Sequence, residues 1–255
     1  MSATLDAGKF KEYFNQAPHL HITGRTYPVE VNYLQGETSD YIFSSLSVVN
    51  GIHRTEGPGD ILVFLSGEDE IERLCSLLRN EVQNLDVLPL YSRMSPQLQQ
   101  RIYQRSPRRK CIVTTNVAET SLTIDGIVYV VDTGLAKQML FNPRAEQNCL
   151  RMQLISQASA RQRMGRAGRT QPGICYRLYT KKTYDHDMPR STGPGILFDQ
   201  LESAVLTLKQ AGYDKVTEFD FMDTPQPESL SRAVGNLNRW YDRYIPQPRP
   251  CLFAR

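Results

Sequence analysis

Gln162, Arg166 and Arg169 stand at i, i+4 and i+7, a spacing that puts all three on one face of a helix. Four arginines lie from Arg161 to Arg169 with no acid among them. Guanidinium groups bind phosphoryl oxygens bidentately and stabilise charge developing in phosphoryl transfer. Such a face suits a phosphate clamp; the competing reading, common for arginine-rich segments, is a solvated basic helix. Gly165 and Gly168 alternate with the arginines. Two glycines in one turn weaken a helix, so they point to close backbone approach or a nearby helix end.

Further chemistry sits where apolar runs give way to hydroxyls. Thr114-Thr115-Asn116 leads into Thr120-Ser121-Leu122-Thr123-Ile124-Asp125-Gly126. Hydroxyls and open N–H groups at a strand end can hold phosphate oxygens without reading bases; alternatively, these threonines cap a short helix. Ser66-Gly67 follows the run Ile61–Leu65. Asp69-Glu70 looks at first like a magnesium-binding pair. We reject that reading, because Ser66 is expected to cap a helix and acids in a first turn meet the helix dipole favourably.

The elements that must position these groups alternate along the chain. Ile61–Leu65, Val87–Tyr91, Cys111–Thr115, Ile127–Val131 and Ile174–Tyr179 are short, β-prone runs. Between them, Ile71, Leu74, Cys75 and Leu78 mark one amphipathic helix, and Ser95-Pro96 opens another through Gln104. Lys137–Ile155 lacks helical period and reads as a hairpin, whereas Ser156–Gly168 is helix-compatible. This order predicts an α/β domain with a largely parallel sheet, its ligands at the carboxyl ends of the strands. Beyond Lys181 the pattern changes to two helices, Phe198–Ala211 and Glu228–Tyr241, then a proline-rich tail from Pro246.

Composition narrows the function classes. The hydrophobic fraction of 40% and charged fraction of 22% are those of a globular chain. No apolar run spans a bilayer, so no membrane partner is expected. Five scattered cysteines argue against a zinc site and for a reducing, intracellular compartment. The net charge of +3 is too small to argue nucleic-acid binding by itself. The sequence lacks a G-x-G-x-x-G turn, a nucleophile elbow and paired catalytic carboxylates, which disfavours a metabolic α/β enzyme.

Ser156-Gln157-Ala158-Ser159-Ala160-Arg161-Gln162-Arg163-Met164-Gly165-Arg166-Ala167-Gly168-Arg169 resembles motif VI of the DEAH-box ATP-dependent RNA helicases, with Met164 for the usual alanine and Gln157 for a frequent lysine. Thr114–Gly126 resembles motif V and Ile61–Glu72 motif IV; Ser2-Ala3-Thr4 resembles the coupling motif III. Pro89–Tyr103 is similar to the segment whose final aromatic stacks on adenine, and Val131-Asp132-Thr133-Gly134 precedes a stretch like the family's RNA-gripping hairpin, with Thr133 where proline is common.

The resemblance implies a RecA-like, P-loop NTPase-type parallel sheet flanked by helices, then a partial helical winged-helix region. Residues 1–24 would end a first RecA-like domain, 25–180 form the second, and 181–255 form a linker and incomplete winged helix. Arg166 and Arg169 would be arginine fingers and Gln162 would lie near the attacking water. Tyr103, Thr123 and Asp125 would face the nucleotide, Tyr103 being equally readable as a core aromatic. Ser66, Gly67, Thr115 and Asn116 would face the RNA backbone, and no residue is expected to bind metal. ATP and Mg2+ would serve the full-length protein, since G-x-x-x-x-G-K-[ST] and DEAH sequences are missing here; this chain alone is not expected to hydrolyse ATP. Implied partners are single-stranded RNA, the missing first RecA-like domain and helicase-activating proteins, in the nucleus or nucleolus more than the cytoplasm. The alternative is a non-catalytic RNA- or partner-binding module.

Overall fold

The computed structural model describes residues 7–20, 27–120, 122–142, 147–197 and 200–244. The chain divides into two compact units. One comprises Leu20–Gln138 and Arg151–Thr192; the other comprises Asp6–His19, Met139–Leu150 and the chain from Gly193 onward.

The first unit is built on strands β1 (Val29–Tyr33), β2 (Asp60–Phe64), β3 (Leu85–Leu90), β4 (Arg109–Thr114), β5 (Ile127–Asp132) and β8 (Gly173–Arg177). They form one sheet in the order β1-β8-β5-β2-β4-β3, and every pairing is parallel. This is the RecA-like architecture expected. The central strands β2, β4 and β5 are buried almost throughout, which is why their sequences are unbroken apolar runs rather than alternations. Helix α2 (Tyr41–Thr55) and α3 (Glu68–Glu81) cover one face, with Ile71, Leu74, Cys75 and Leu78 inaccessible as their spacing predicted. A second core, of Phe64, Leu90, Ile102, Ile124 and Ala167, lies on the other face. Strands β6 (Leu135–Asn142) and β7 (Gln147–Leu154) make the expected hairpin.

Four local expectations need correction. Ser66 does not cap α3: the N-cap is Gly67, while Ser66 donates its N–H and hydroxyl to Glu70 Oε2 at 3.1 and 2.5 Å. The acid reaches back over the helix start, as in a capping box. The helix opened by Pro96, α4 (Pro96–Gln100), gives way at Arg101–Tyr103 to a tighter 3₁₀ turn. There Lys110 Nζ donates to the carbonyls of Ile102 and Gln104 at 2.8 and 3.4 Å, binding groups that a continuing α-helix would use itself. The arginine helix, α6 (Gln157–Met164), stops short of Gly168. Arg166 and Ala167 instead donate N–H bonds three residues back, to the carbonyls of Arg163 and Met164. The cause is Gly168, where a Cβ would stand 2.8 Å from Val29 Cγ2 and closer still to the Tyr27 carbonyl oxygen. Finally, α7 begins at Glu202 (Glu202–Gln210) rather than Phe198, with the buried Leu201 as its N-cap residue; Phe198 and Asp199 lie outside the described residues.

The second unit contains α1 (Ala7–Tyr13), α7 and α8 (Pro227–Tyr244). Leu201, Val205, Val216, Leu230 and Ala233 form its small core. The two C-terminal helices expected from the sequence are therefore present.

Candidate functional site

Two edges of the first unit's sheet carry the residues that the sequence singles out. At the carboxyl edge, Ser66-Gly67 leaves β2 beside Thr115-Asn116, which leaves the adjacent strand β4; Leu65 N–H donates to the Thr114 carbonyl at 2.8 Å. Asn116 is exposed and Thr115 half-buried. Ser66, however, is buried at 4% exposure with its N–H and hydroxyl given to Glu70, its hydroxyl also 3.5 Å from Met152 Sδ. As arranged, it has no donor left for a phosphate. Tyr41 fills the other oxygen of that carboxylate, donating to Glu70 Oε1 at 2.6 Å.

The amino edge carries the others. Tyr103 ends the turn held by Lys110, the second residue of β4. Its ring is 52% exposed, while its neighbour Ile102 fills the core; the core reading of Tyr103 fails. Asp125 and Thr123 are exposed in the loop entering β5. Asp60, at the start of β2, clasps this edge. Its N–H donates to the Gly126 carbonyl at 2.9 Å, and its Oδ1 accepts from Lys110 N–H at 2.9 Å. Tyr103 and the Thr123–Asp125 loop are thus tied through Asp60 to the same end of the sheet, opposite the Thr115 edge.

The arginine segment joins this arrangement through the short helix α5 (Val117–Thr120) that follows β4 and the residue Leu122 beyond it. Arg166, 8% exposed, donates from Nη1 to the Leu122 carbonyl at 2.6 Å and from Nη2 to the Glu119 carbonyl. Burial, and then repulsion from Arg169, lower its guanidinium from the usual 12.5 to about 10. It makes no ion pair among the described residues, because the nearest carboxylate is taken: Glu119 Oε2 accepts from Arg163 Nε at 3.2 Å. Two mutually repelling cations, the buried one hydrogen-bonded to carbonyls and close to a glutamate that is already paired, can accommodate a multiply charged anion. Arg169 and Gln162 are half-buried. Because α6 ends at Met164, Arg166 and Arg169 project from successive turns, not from one helical face.

Arg163 is the residue that sequence reasoning missed. Its guanidinium is fully buried, 2.8 Å from Asp132 Oδ1, donating to the Leu135 carbonyl at 3.3 Å and lying over the Phe64 ring at 4.8 Å. Asp132 in turn accepts from Tyr179 Oη at 2.9 Å and from Gly134 N–H at 3.0 Å. Gly134 has φ +73° and turns the chain into the hairpin. The available signal was Asp132 at the end of an otherwise apolar strand, a carboxylate that burial obliges to find a cation. Thr133, the departure from the family's proline, donates its hydroxyl to the Phe64 carbonyl at 2.9 Å. Ser2, Ala3 and Thr4 lie outside the described residues. Cavities of about 610 and 620 Å3 lie in the second unit along α7 and α8, so neither contains the arginines.

A six-stranded, all-parallel sheet in this strand order is the RecA-like fold of a helicase C-terminal domain. The chain belongs to the helicase conserved C-terminal domain family, whose model matches residues 44–171, and within it to the DEAH-box RNA helicases. It is 46% identical over 245 residues to the pre-mRNA-splicing factor ATP-dependent RNA helicase prp22 of Schizosaccharomyces pombe, covering 92% of this chain and 21% of that protein. Two crystal structures of Escherichia coli HrpB, described as a DExH-box NTPase and a DEAH/RHA helicase, superpose with TM-scores of 0.82 and 0.85. Both are 33% identical, over 93% of this chain and 30% and 31% of theirs. The chain thus spans about a fifth of its curated relative. No described helix is long and apolar enough to cross a membrane.

Proposed function

We propose that this chain supplies the arginine half of an ATP site and part of an RNA track to an ATP-driven RNA helicase. The carrying observation is Arg166: nearly buried, crowded by Arg169, and hydrogen-bonded only to carbonyls among the described residues. A triphosphate bound with Mg2+ to a first RecA-like domain supplies the anion; Arg166 and Arg169 bind it, and Gln162 orients water beside it. Tyr103 stacks on the base, with Thr123 and Asp125 lining the same amino edge. Thr115 and Asn116 hold RNA phosphates at the opposite edge, joined by Gly67 and, once released from Glu70, by Ser66. The coupling motif Ser2-Ala3-Thr4 belongs to the first domain's end, and residues 181–255 begin the winged helix. Cycles of domain closure around ATP then move RNA along the track. The splicing-factor relative supports an RNA substrate and a place in the nucleus.

The chain assayed alone with oligouridylate, ATP and Mg2+ is expected to release no phosphate. Turnover that disappears in Arg166→Ala would overturn the view that these arginines serve a triphosphate held elsewhere. A second reading, a non-catalytic module that binds RNA or helicase-activating proteins, draws on the exposed carboxyl-edge loop at Asn116. RNA binding without any effect of the arginines on triphosphate turnover in the longer protein would favour it.

A further inference from the structure

Three serine or threonine residues of the chain precede a proline: Ser95, Ser106 and Thr224. The fold treats them differently. Ser95 is the N-cap residue of α4, and its carbonyl accepts from Leu98 and Gln99 N–H at 3.0 and 3.1 Å. Pro225, which follows Thr224, is buried. Ser106 lies in residues 104–108, which join the 3₁₀ turn to β4 and pair with no strand of the described sheet. Pro107 is exposed and biases Ser106 toward extended backbone. The Ser106 hydroxyl oxygen accepts from Arg108 N–H at 3.2 Å, a long bond at the surface. Arg101, Arg105 and Arg108 are all exposed, and their guanidinium groups make no ion pair among the described residues. Arg109 is committed elsewhere, donating to the carbonyls of Ile52 and Glu56 at 2.8 and 3.1 Å, and so anchors the end of the loop. A surface hydroxyl before an exposed proline, between cations that the fold leaves unpaired, has the form of a modification site rather than of a structural turn.

We propose that Ser106 is a phosphorylation site for a proline-directed serine/threonine protein kinase, and that Arg105 and Arg108 hold the phosphate. In the transfer, Ser106 Oγ attacks the γ-phosphorus of the kinase's own ATP. The Oγ–P bond forms as the bond to the β–γ bridging oxygen breaks, ADP leaves with that electron pair, and the hydroxyl proton passes to a carboxylate of the kinase. The phosphate adds a charge of about −2 and three acceptor oxygens, which flanking guanidinium groups meet bidentately. It therefore turns three uncompensated cations into a net charge of about +1, three residues from Tyr103 at the amino edge. The modification requires neither ATP nor RNA bound to this chain.

The test is incubation of the whole chain with a purified cyclin-dependent kinase, Mg2+ and ATP, the phosphate being located by fragmentation mass spectrometry. Phosphate on Ser106 is expected, lost in Ser106→Ala and in Pro107→Ala and retained in Ser95→Ala and in Thr224→Ala. Circular dichroism of each variant checks its fold; Ser106→Ala gives up a surface hydrogen bond and is expected to fold as the parent does. Phosphate on Ser95 or Thr224 in place of Ser106 would overturn the site. So would no incorporation while a Ser-Pro peptide is phosphorylated in the same tube. Phosphorus NMR of the modified chain then reads the arginines. The second ionisation of the phosphate is expected below its ordinary value of about 6, and to return there when Arg105→Gln and Arg108→Gln are combined. An ordinary value with both arginines present, or a lowered one that survives their loss, would overturn their part in holding the phosphate.

Discussion

Replacing Arg163 by methionine tests whether the ionic core organises the arginine segment. The guanidinium and the Asp132 carboxylate are both fully inaccessible and 2.8 Å apart, and Glu119, mostly buried, is the second partner at 3.2 Å. Methionine keeps most of the stem length and removes the charge, leaving Asp132 with only the Tyr179 hydroxyl and Gly134 N–H. Removing one member of a buried pair costs about 3–5 kcal/mol, because the remaining charge stays desolvated. With a urea dependence of about 2 kcal/mol per M, the unfolding midpoint falls by about 1.5–2.5 M. Far-UV circular dichroism follows the transition. Hydrogen exchange in β5 isolates the first unit, because the sole tryptophan, Trp240, lies in the second. Adding Asp132→Asn is expected to recover about 1–3 kcal/mol of the loss, since the orphaned charge disappears. A loss under about 0.5 kcal/mol for Arg163→Met, the range of ordinary surface substitutions, would refute the claim that burial makes the pair indispensable.

Other outcomes follow from the same geometry. Gly168→Ala should cost about 1–3 kcal/mol, because the new Cβ meets the Tyr27 carbonyl and Val29; a melt unchanged from the parent would contradict that approach. Arg166→Gln should leave thermal stability equal or higher, since burial and Arg169 disfavour the charged form. It should also abolish any rise in melting temperature caused by inorganic triphosphate; a lower melting temperature would show that the carbonyl bonds outweigh the desolvation. Burial and neighbouring acids push the Tyr41 and Tyr176 phenols up to about 12, and burial with the Asp132 charge pushes Tyr179 up further. Raised phenol values contribute stability that is complete below about pH 10, the unfolded value, and is lost as pH rises through the folded ones. Ultraviolet titration should therefore show these tyrosinates appearing together with alkaline unfolding. Ionisation of all tyrosines near pH 10 in a still-folded chain would contradict it.

The parallel sheet was legible because central strands must be apolar on both faces, and Ile61–Phe64 and Ile127–Val131 could hardly be anything else. β1 went unseen for the opposite reason: at the sheet edge it exposes Glu30 and Asn32, and its alternation is too brief to separate from a loop. α2 does carry a signal in the sequence, an Asp40 cap, here accepting N–H bonds from Ile42 and Phe43, ahead of Leu46, Val49 and Ile52 at helical spacing. The arginines were legible as a cluster at the end of a helix, but their helical register was not. Helical spacing assumes continuous α-helix, and the close approach of Gly168 to Tyr27 is a tertiary event that no local pattern records. Ser66 shows a similar limit. A serine before a helix reads as a cap, yet three donors from Ser66 and Tyr41 converging on Glu70 reverse the roles.

The burial of Arg163 also bears on how α6 is held. Docking this helix dehydrates a guanidinium and two carboxylates together, and the cost is offset only when Asp132, Glu119 and the Leu135 carbonyl are all engaged. A partly docked helix would keep most of the penalty and little of the attraction. The energetics therefore favour a fully seated segment over any partly docked one. Arg166 and Arg169, carried just beyond its end, are presented as a unit or not at all.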